Sequence, residues 1–256
     1  NGSVRSSWDE EIHFANAYAL SYGDEVIWSD AAWKTAKIDW PYFNTYEEKT
    51  MVTEWINSQN NYDNPIIDSK SSYISFNERS YIPQALFLKI ARVLNMSFNH
   101  MYMFGKVGNL LTYSLIIFIA IKIAKSNKIV IASLSLLPTL IFLASTYTND
   151  AVTTAFIVLG FVIWYNAIIE REKIVWYKII VGISSIVIGC FAKAVYIPIL
   201  LLYCFLPQYK FKYKKQHILY VICILAVFVL VMCTFVLPAV TNAVGNNTSW
   251  GSDLRG

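Results

Sequence analysis

The sequence is poor in charged residues and in residues that bind metals or form disulfides. Charged side chains make up 15% of its 256 residues and hydrophobic ones 56%, whereas ordinary soluble domains carry about 25% charged residues. This composition argues strongly against a soluble globular enzyme and against a disordered chain. The 4 cysteines lie in apolar runs without CxxC or Cys/His spacing, so neither a zinc site nor a disulfide framework is indicated.

The sequence also lacks an initiator methionine, a cleavable signal and an internal repeat. It starts at Asn1 and stops at Gly256, both in polar, loop-like sequence. We therefore expect a fragment that is truncated at both ends.

The charge is distributed unevenly along the chain. Residues 1–100 hold 8 basic and 13 acidic side chains, whereas the remainder holds 13 basic and 4 acidic ones. An acidic, polar part thus precedes a basic and very apolar part. This pattern predicts a polytopic membrane protein with a substantial region outside the bilayer.

Apolar segments long enough for membrane helices follow residue 100, since a spanning helix needs about 20 mostly apolar residues. The candidates are 107–124, 129–147, 151–169, 174–206 and 217–237. Kinks are expected at Pro138 and Pro198, which membrane helices tolerate. We predict an all-α, polytopic helical bundle with about six membrane segments.

The connections between these segments predict the orientation, because short cytoplasmic loops are enriched in Lys and Arg. Three connections are basic: Lys122, Lys125 and Lys128; Arg171, Lys173 and Lys178; and Lys210, Lys212, Lys214 and Lys215. The turn at 148–150 has no basic residue. We therefore predict a multi-pass membrane protein whose basic connections face the cytoplasm, in contact with the lipid bilayer and not with nucleic acid. Its parts are an extracytoplasmic region (1–101), a transmembrane core (102–238) and the start of a further extracytoplasmic segment (239–256).

The stretch 174–206 has cytoplasmic connections on both sides, so it must cross the membrane an even number of times. Its 33 residues are too few for two full crossings of about 20 residues each. We therefore predict two short legs that meet near 191–194 and place Lys193 at the outer membrane face. This lysine either extends to the lipid headgroups or holds a lipid phosphate.

The region 1–101 contains three predicted helices. The first covers Trp8–Tyr22, with a capping box formed by Ser7 and Glu10. The second covers Tyr46–Asn60. The third covers Ser80–Asn95, is amphipathic and is expected to lie on the outer membrane surface.

Six motifs in this chain occur in a characteristic order. They are Asp9–Phe14 (DEEIHF), Tyr81–Ala85 (YIPQA), Phe104–Leu111 (FGKVGNLL), Leu136–Pro138 (LLP), Ser145–Ala151 (STYTNDA) and Ala192–Pro198 (AKAVYIP). Together they resemble the bacterial membrane-protein family of unknown function DUF2142. That family looks like a branch of the GT-C glycosyltransferases, which include the protein O-mannosyltransferases and the aminoarabinose transferase of lipid A.

The resemblance implies a GT-C fold and the transfer of a sugar from a polyprenyl-phosphate carrier to a cell-surface glycan or lipid acceptor. It implies that Asp9 and Glu10 are catalytic, since a carboxylate that orients or deprotonates a hydroxyl is the minimum requirement for this transfer. The predicted substrate- and phosphate-binding residues are Lys193, Lys106, Asp150, Tyr81 and Arg79. The family has an arginine where Lys106 stands and often a proline where Ala194 stands.

Each of these residues also has a structural interpretation. An exposed capping box accounts for both Asp9 and Glu10, Asp150 is a good N-cap for the helix that follows it, and Lys106 is placed to extend to the lipid headgroups. No cofactor is certain. A divalent metal bound by Asp9, Glu10 and His13, which lie within one helical turn, stays open.

Two functions of other classes stay open as well. A transporter or flippase for lipid-linked saccharides should show inverted repeats and broken helices at the bilayer midplane. A non-catalytic protein of cell-surface assembly would use 1–101 as a binding module, and Asp9 would then be dispensable.

Overall fold

The computed structural model describes residues 9–23, 25–37, 45–63, 66–71 and 77–236, and these are mainly helical. Within them, the α-helices are α1 (Glu10–Tyr22), α2 (Asp30–Lys37), α3 (Tyr46–Ser58), α4 (Ile82–Val93), α5 (Phe98–Ile123), α6 (Lys128–Ser135), α7 (Pro138–Ala144), α8 (Asp150–Ile169), α9 (Trp176–Cys190) and α10 (Lys214–Val231). The predicted all-α class is confirmed. The predicted segment 239–256 lies outside the described residues.

Shorter elements connect the α-helices. Strands β1 (Glu25–Trp28) and β2 (Ile66–Ser71) form an antiparallel pair, with Ile27 opposite Ile67. The 3-10 helices are Asn77–Tyr81, Ala194–Phe205 and Gln208–Lys210, and a π-helical turn covers Met232–Val236.

Three of the described helices are long and apolar enough to cross a membrane: α5, α8 and the helix over Lys214–Thr234. The predicted segment 129–147 is instead divided into α6 and α7. Pro138 is the first residue of α7, a position where its missing N–H breaks no helical hydrogen bond. The kink expected at Pro138 is therefore a break between two short helices.

The stretch 174–206 forms two short helical legs, as predicted. The first leg is α9, whose 15 residues are about 22 Å long at the α-helical rise. The second is the 3-10 helix Ala194–Phe205, whose 12 residues reach about 24 Å because a 3-10 helix rises faster per residue. Lys193 caps the start of this second leg, at the tip of the hairpin.

Glycines allow the hairpin to pack closely against α8. A Cβ at Gly160 would lie 2.8 Å from the carbonyl oxygen of Gly182, a separation that no side chain tolerates. The Tyr203 hydroxyl of the second leg donates to the Gly160 carbonyl oxygen at 2.8 Å. The close approach of Gly182 to Gly160 thus packs the first leg against α8, and the Tyr203 hydrogen bond holds the second leg there.

Residues 9–97, hereafter the N-terminal region, are joined to the membrane helices by an aromatic core. The ring of Phe14 on α1 lies 5.1 Å from that of Tyr102 on α5 and 5.2 Å from that of Tyr147. All three side chains are buried. Packing of buried aromatic rings at such distances contributes more stabilising free energy than the buried area alone. It also places the start of α1 beside the N-terminal ends of α5 and α8.

Helix α4 buries one face and exposes the other. Ala85, Leu88 and Ala91 are buried, whereas Ile82 and Leu86 are exposed. An exposed apolar stripe on a helix outside the spanning segments is typical of an element that lies on a membrane surface. The predicted amphipathic helix is thus present, and its location on the membrane surface stays a prediction.

Candidate functional site

Asp9 lies at the start of α1 in a left-handed backbone conformation, with a φ of 56°. Its carbonyl oxygen accepts from the backbone N–H groups of Ile12 (3.0 Å) and His13 (3.1 Å). Its carboxylate makes no capping hydrogen bond and is exposed. Helix α1 begins at Glu10, and Ser7 of the predicted capping box lies outside the described residues. An exposed acid in a conformation that few non-glycine residues adopt is a candidate functional residue.

Glu10 and Lys106 form a buried ion pair between α1 and α5. The Lys106 Nζ lies 2.5 Å from Glu10 Oε1, and the two side chains are 5% and 0% exposed. The Tyr102 hydroxyl donates to the same carboxylate oxygen at 3.3 Å, and the Lys106 ammonium lies 5.0 Å from the centre of the Tyr102 ring. The Glu10 carboxylate is thus directed into the protein, toward α5.

Asp150 and Lys193 form a second ion pair, which is accessible. Lys193 Nζ lies 2.6 Å from Asp150 Oδ1, and the side chains are 44% and 31% exposed. Asn149 is the N-cap of α8 and Asp150 is the first helical residue, so the interpretation of Asp150 as the N-cap is wrong. Its carboxylate instead contacts Lys193 at the tip of the hairpin.

His13 lies on α1, one helical turn from Glu10, where charges of both ion pairs act on its ring. Its Nδ1 is 2.6 Å from the Tyr81 hydroxyl oxygen. Burial lowers the pKa of His13 below its ordinary value, although nearby carboxylates act in the opposite direction. The charged groups that act on the ring are Asp150, Asp9, Glu10 and Lys193. At pH 7 the imidazole is therefore neutral, and it can both donate and accept a hydrogen bond.

The structure therefore brings most of the predicted residues to one end of the bundle. Asp9, Glu10, His13 and Tyr81 come from the N-terminal region, and Lys106, Asp150 and Lys193 from three separate membrane elements. Arg79 lies two residues before Tyr81, and its side chain is exposed. Among the described residues, no three His, Cys, Asp or Glu side chains are placed to hold a metal ion, so the geometry offers no support for the metal alternative.

The turn before Asp150 is held by two buried amide side chains, Asn109 and Gln84. Neither was among the residues predicted from the sequence. Asn109 Nδ2 donates to the carbonyl oxygens of Thr146 (2.8 Å) and Thr148 (2.9 Å), and Gln84 Nε2 donates to Asn109 Oδ1 (2.9 Å). The signal in the sequence was an asparagine inside a long apolar helix, which is costly unless it is hydrogen-bonded. These bonds fix the backbone from which Asp150 projects.

The buried pair gives a stability prediction. Lys106→Met is expected to destabilise the N-terminal region by about 3–5 kcal/mol, because it leaves the Glu10 carboxylate buried without its cation. The double variant Glu10→Gln/Lys106→Met should recover most of this loss, because neither charge then remains. Thermal unfolding in detergent, followed by tryptophan fluorescence, measures both variants, since Trp28 and Trp55 pack against the same core.

Lys89→Met is the matched control for this experiment, because Lys89 is exposed on α4 and its replacement should leave the unfolding midpoint unchanged. Equal midpoints for the parent and for Lys106→Met would contradict a buried, stabilising pair.

Comparison with known proteins places the whole site within one family. The chain matches the family described as predicted membrane protein (DUF2142) over residues 3–252. No curated protein and no solved structure matches it. The matched range covers every site residue, including Asp9 near its beginning and Lys193 in the hairpin, so the chain belongs to DUF2142, a family of predicted membrane proteins.

Proposed function

We propose that this chain is a membrane glycosyltransferase of GT-C type. It moves a sugar from a polyprenyl-phosphate carrier to a cell-surface glycan or lipid acceptor on the outer face of a bacterial cytoplasmic membrane. The observation that carries this proposal is the placement of an exposed carboxylate, Asp9, and an accessible cation, Lys193, around the same neutral His13. A sugar transfer from a phosphate carrier needs these two groups near each other.

In the proposed reaction, the acceptor hydroxyl oxygen attacks the anomeric carbon of the sugar. A new glycosidic C–O bond forms, and the bond between that carbon and the phosphate oxygen breaks. The bonding electron pair leaves with polyprenyl phosphate, and the hydroxyl proton passes to the Asp9 carboxylate. Asp9 is thus the general base. Lys193 stabilises the negative charge that develops on the phosphate.

The other residues position these two groups. In the absence of phosphate, Asp150 holds the Lys193 ammonium at 2.6 Å, and the donor phosphate takes over this contact when it binds. The buried Glu10–Lys106 pair fixes the start of α1 and with it Asp9. We assign the phosphate contact to Lys193, because the Lys106 ammonium is buried against Glu10. Tyr81 orients the His13 ring through their hydrogen bond.

The lysine-rich connections support an outer-face site, because short cytoplasmic loops are enriched in Lys and Arg. Right-side-out vesicles from cells that produce the chain are therefore expected to transfer label from a radiolabelled polyprenyl-phosphate hexose to their acceptors. They should release polyprenyl phosphate in equal amount, and inside-out vesicles should do so only after permeabilisation. Label that crosses the membrane without release of polyprenyl phosphate would identify a flippase instead. An intact donor in every vesicle type would favour a non-catalytic assembly protein.

A further inference from the structure

A cavity of about 610 Å³ lies between α5, α8 and α9, at the end of these helices opposite to the candidate site. Its wall includes Lys122 near the end of α5, Glu170 just after α8 and Lys178 in the first turn of α9. The site residue Asp150 is at the other end of α8, whose 20 residues are about 30 Å long. The cavity is therefore separate from the proposed transfer reaction.

The wall of the cavity carries a surplus of positive charge. Its lysines are Lys122, Lys125, Lys128, Lys173, Lys178 and Lys210, and its carboxylates are Glu170 and Glu172. The wall thus holds six lysines and two carboxylates. Three of the ammonium groups donate to backbone carbonyl oxygens, Lys128 to Lys122, Lys173 to Tyr209 and Lys210 to Glu170. Glu170 lies 3.7 Å from Lys125 Nζ and 4.0 Å from Lys178 Nζ, so a single carboxylate is shared between two cations. An anion in the cavity would relieve the repulsion among the remaining cations.

The other part of the wall is apolar and opens to the outside of the bundle. It includes Ile119, Ile123 and Val181, which are exposed on the outer surfaces of α5 and α9. A soluble anion would make no favourable contact with this apolar part of the wall. A lipid with an anionic head group fits both parts, because its phosphate meets the lysines and its acyl chains lie along the isoleucines and valine.

We infer that this cavity binds the head group of an anionic phospholipid from the leaflet at the lysine-rich end of the bundle. Lysines are present at the same end outside the cavity too, at 212, 214 and 215, and all three are exposed. Their charge serves the general attraction to an anionic membrane surface, whereas the lysines of the cavity form a site with defined walls. Replacing the lysines of the cavity is therefore expected to weaken the binding of individual lipid molecules, whereas replacing the lysines at 212, 214 and 215 is not.

The test is a titration of the purified chain, in detergent, with phosphatidylglycerol, read by native mass spectrometry. The variant Lys122→Gln/Lys125→Gln/Lys178→Gln should bind phosphatidylglycerol at least about tenfold more weakly than the parent. The matched control is Lys212→Gln/Lys214→Gln/Lys215→Gln, which removes the same charge from the same end and should bind as the parent does. Phosphatidylcholine is the neutral reference, and millimolar inorganic phosphate is the soluble competitor.

A second variant tests the apolar wall without removing charge. Val181→Trp places a large ring at the exposed mouth of the cavity and should also weaken phosphatidylglycerol binding, even if the triple glutamine variant fails to fold. Equal losses in the cavity variant and in the control variant would overturn the proposal, since surface charge would then explain the binding. Displacement of the lipid by inorganic phosphate would also overturn it, in favour of a site for a soluble anion.

Discussion

Replacing Asp9 with asparagine is expected to lower sugar transfer by about 10²–10⁴-fold, the range typical of a lost general acid–base group. Asparagine keeps the size of the side chain but has no charge and cannot take the acceptor proton. Because asparagine adopts the left-handed conformation at least as readily as aspartate, the backbone at φ 56° is retained. No side-chain capping bond is lost, since Asp9 makes none.

The assay for Asp9→Asn is the release of polyprenyl phosphate from a labelled polyprenyl-phosphate hexose, with the unfolding midpoint measured on the same preparation. Asp30→Asn is the matched control, because Asp30 is an exposed acid at the start of α2 and its change should leave transfer unaffected. Transfer at the parental rate by the Asp9 variant would show that the residue serves only to begin α1.

Replacing Lys193 with methionine is expected to lower turnover by about 10²–10³-fold, the usual loss when one group that stabilises transition-state charge is removed. Methionine keeps the length and the apolar contacts of the lysine stem while it deletes the charge. The variant should also bind polyprenyl phosphate more weakly, because the leaving group carries its charge to the same cation. The Asp150 carboxylate loses its partner, but at 31% exposure it can be solvated by water.

Two further variants separate a phosphate contact from a membrane anchor at Lys193. Lys193→Arg keeps the positive charge and should retain part of the activity. Lys89→Met removes an exposed lysine from α4 of the N-terminal region and should change neither turnover nor lipid-phosphate affinity. If Lys193→Met matches the parent in both measurements, the lysine only anchors the hairpin at the headgroups.

Much of the helical architecture could be predicted from the sequence, because the length of an apolar run is a local property. The bilayer sets a minimum length for a spanning helix. Together with the basic connections on both sides of 174–206, this bound predicted two short legs with Lys193 at the tip. The 3-10 geometry of the second leg was not predictable in the same way. The Tyr203–Gly160 hydrogen bond was not predictable either, since it joins residues from two helices that are distant in sequence.

The residues of the candidate site could also be predicted from the sequence, through motifs such as DEEIHF and STYTNDA. Which residues form ion pairs with each other could not. A motif names residue types, whereas the partner of a charge depends on which helices pack together. Only the tertiary structure decided that Lys106 is buried against Glu10 and that Asp150 binds Lys193. The physical reason is that the Phe14–Tyr102–Tyr147 core sets α1 against α5 and so brings Glu10 to Lys106. The close packing of the hairpin on α8 through Gly160 and Tyr203 brings Lys193 to Asp150.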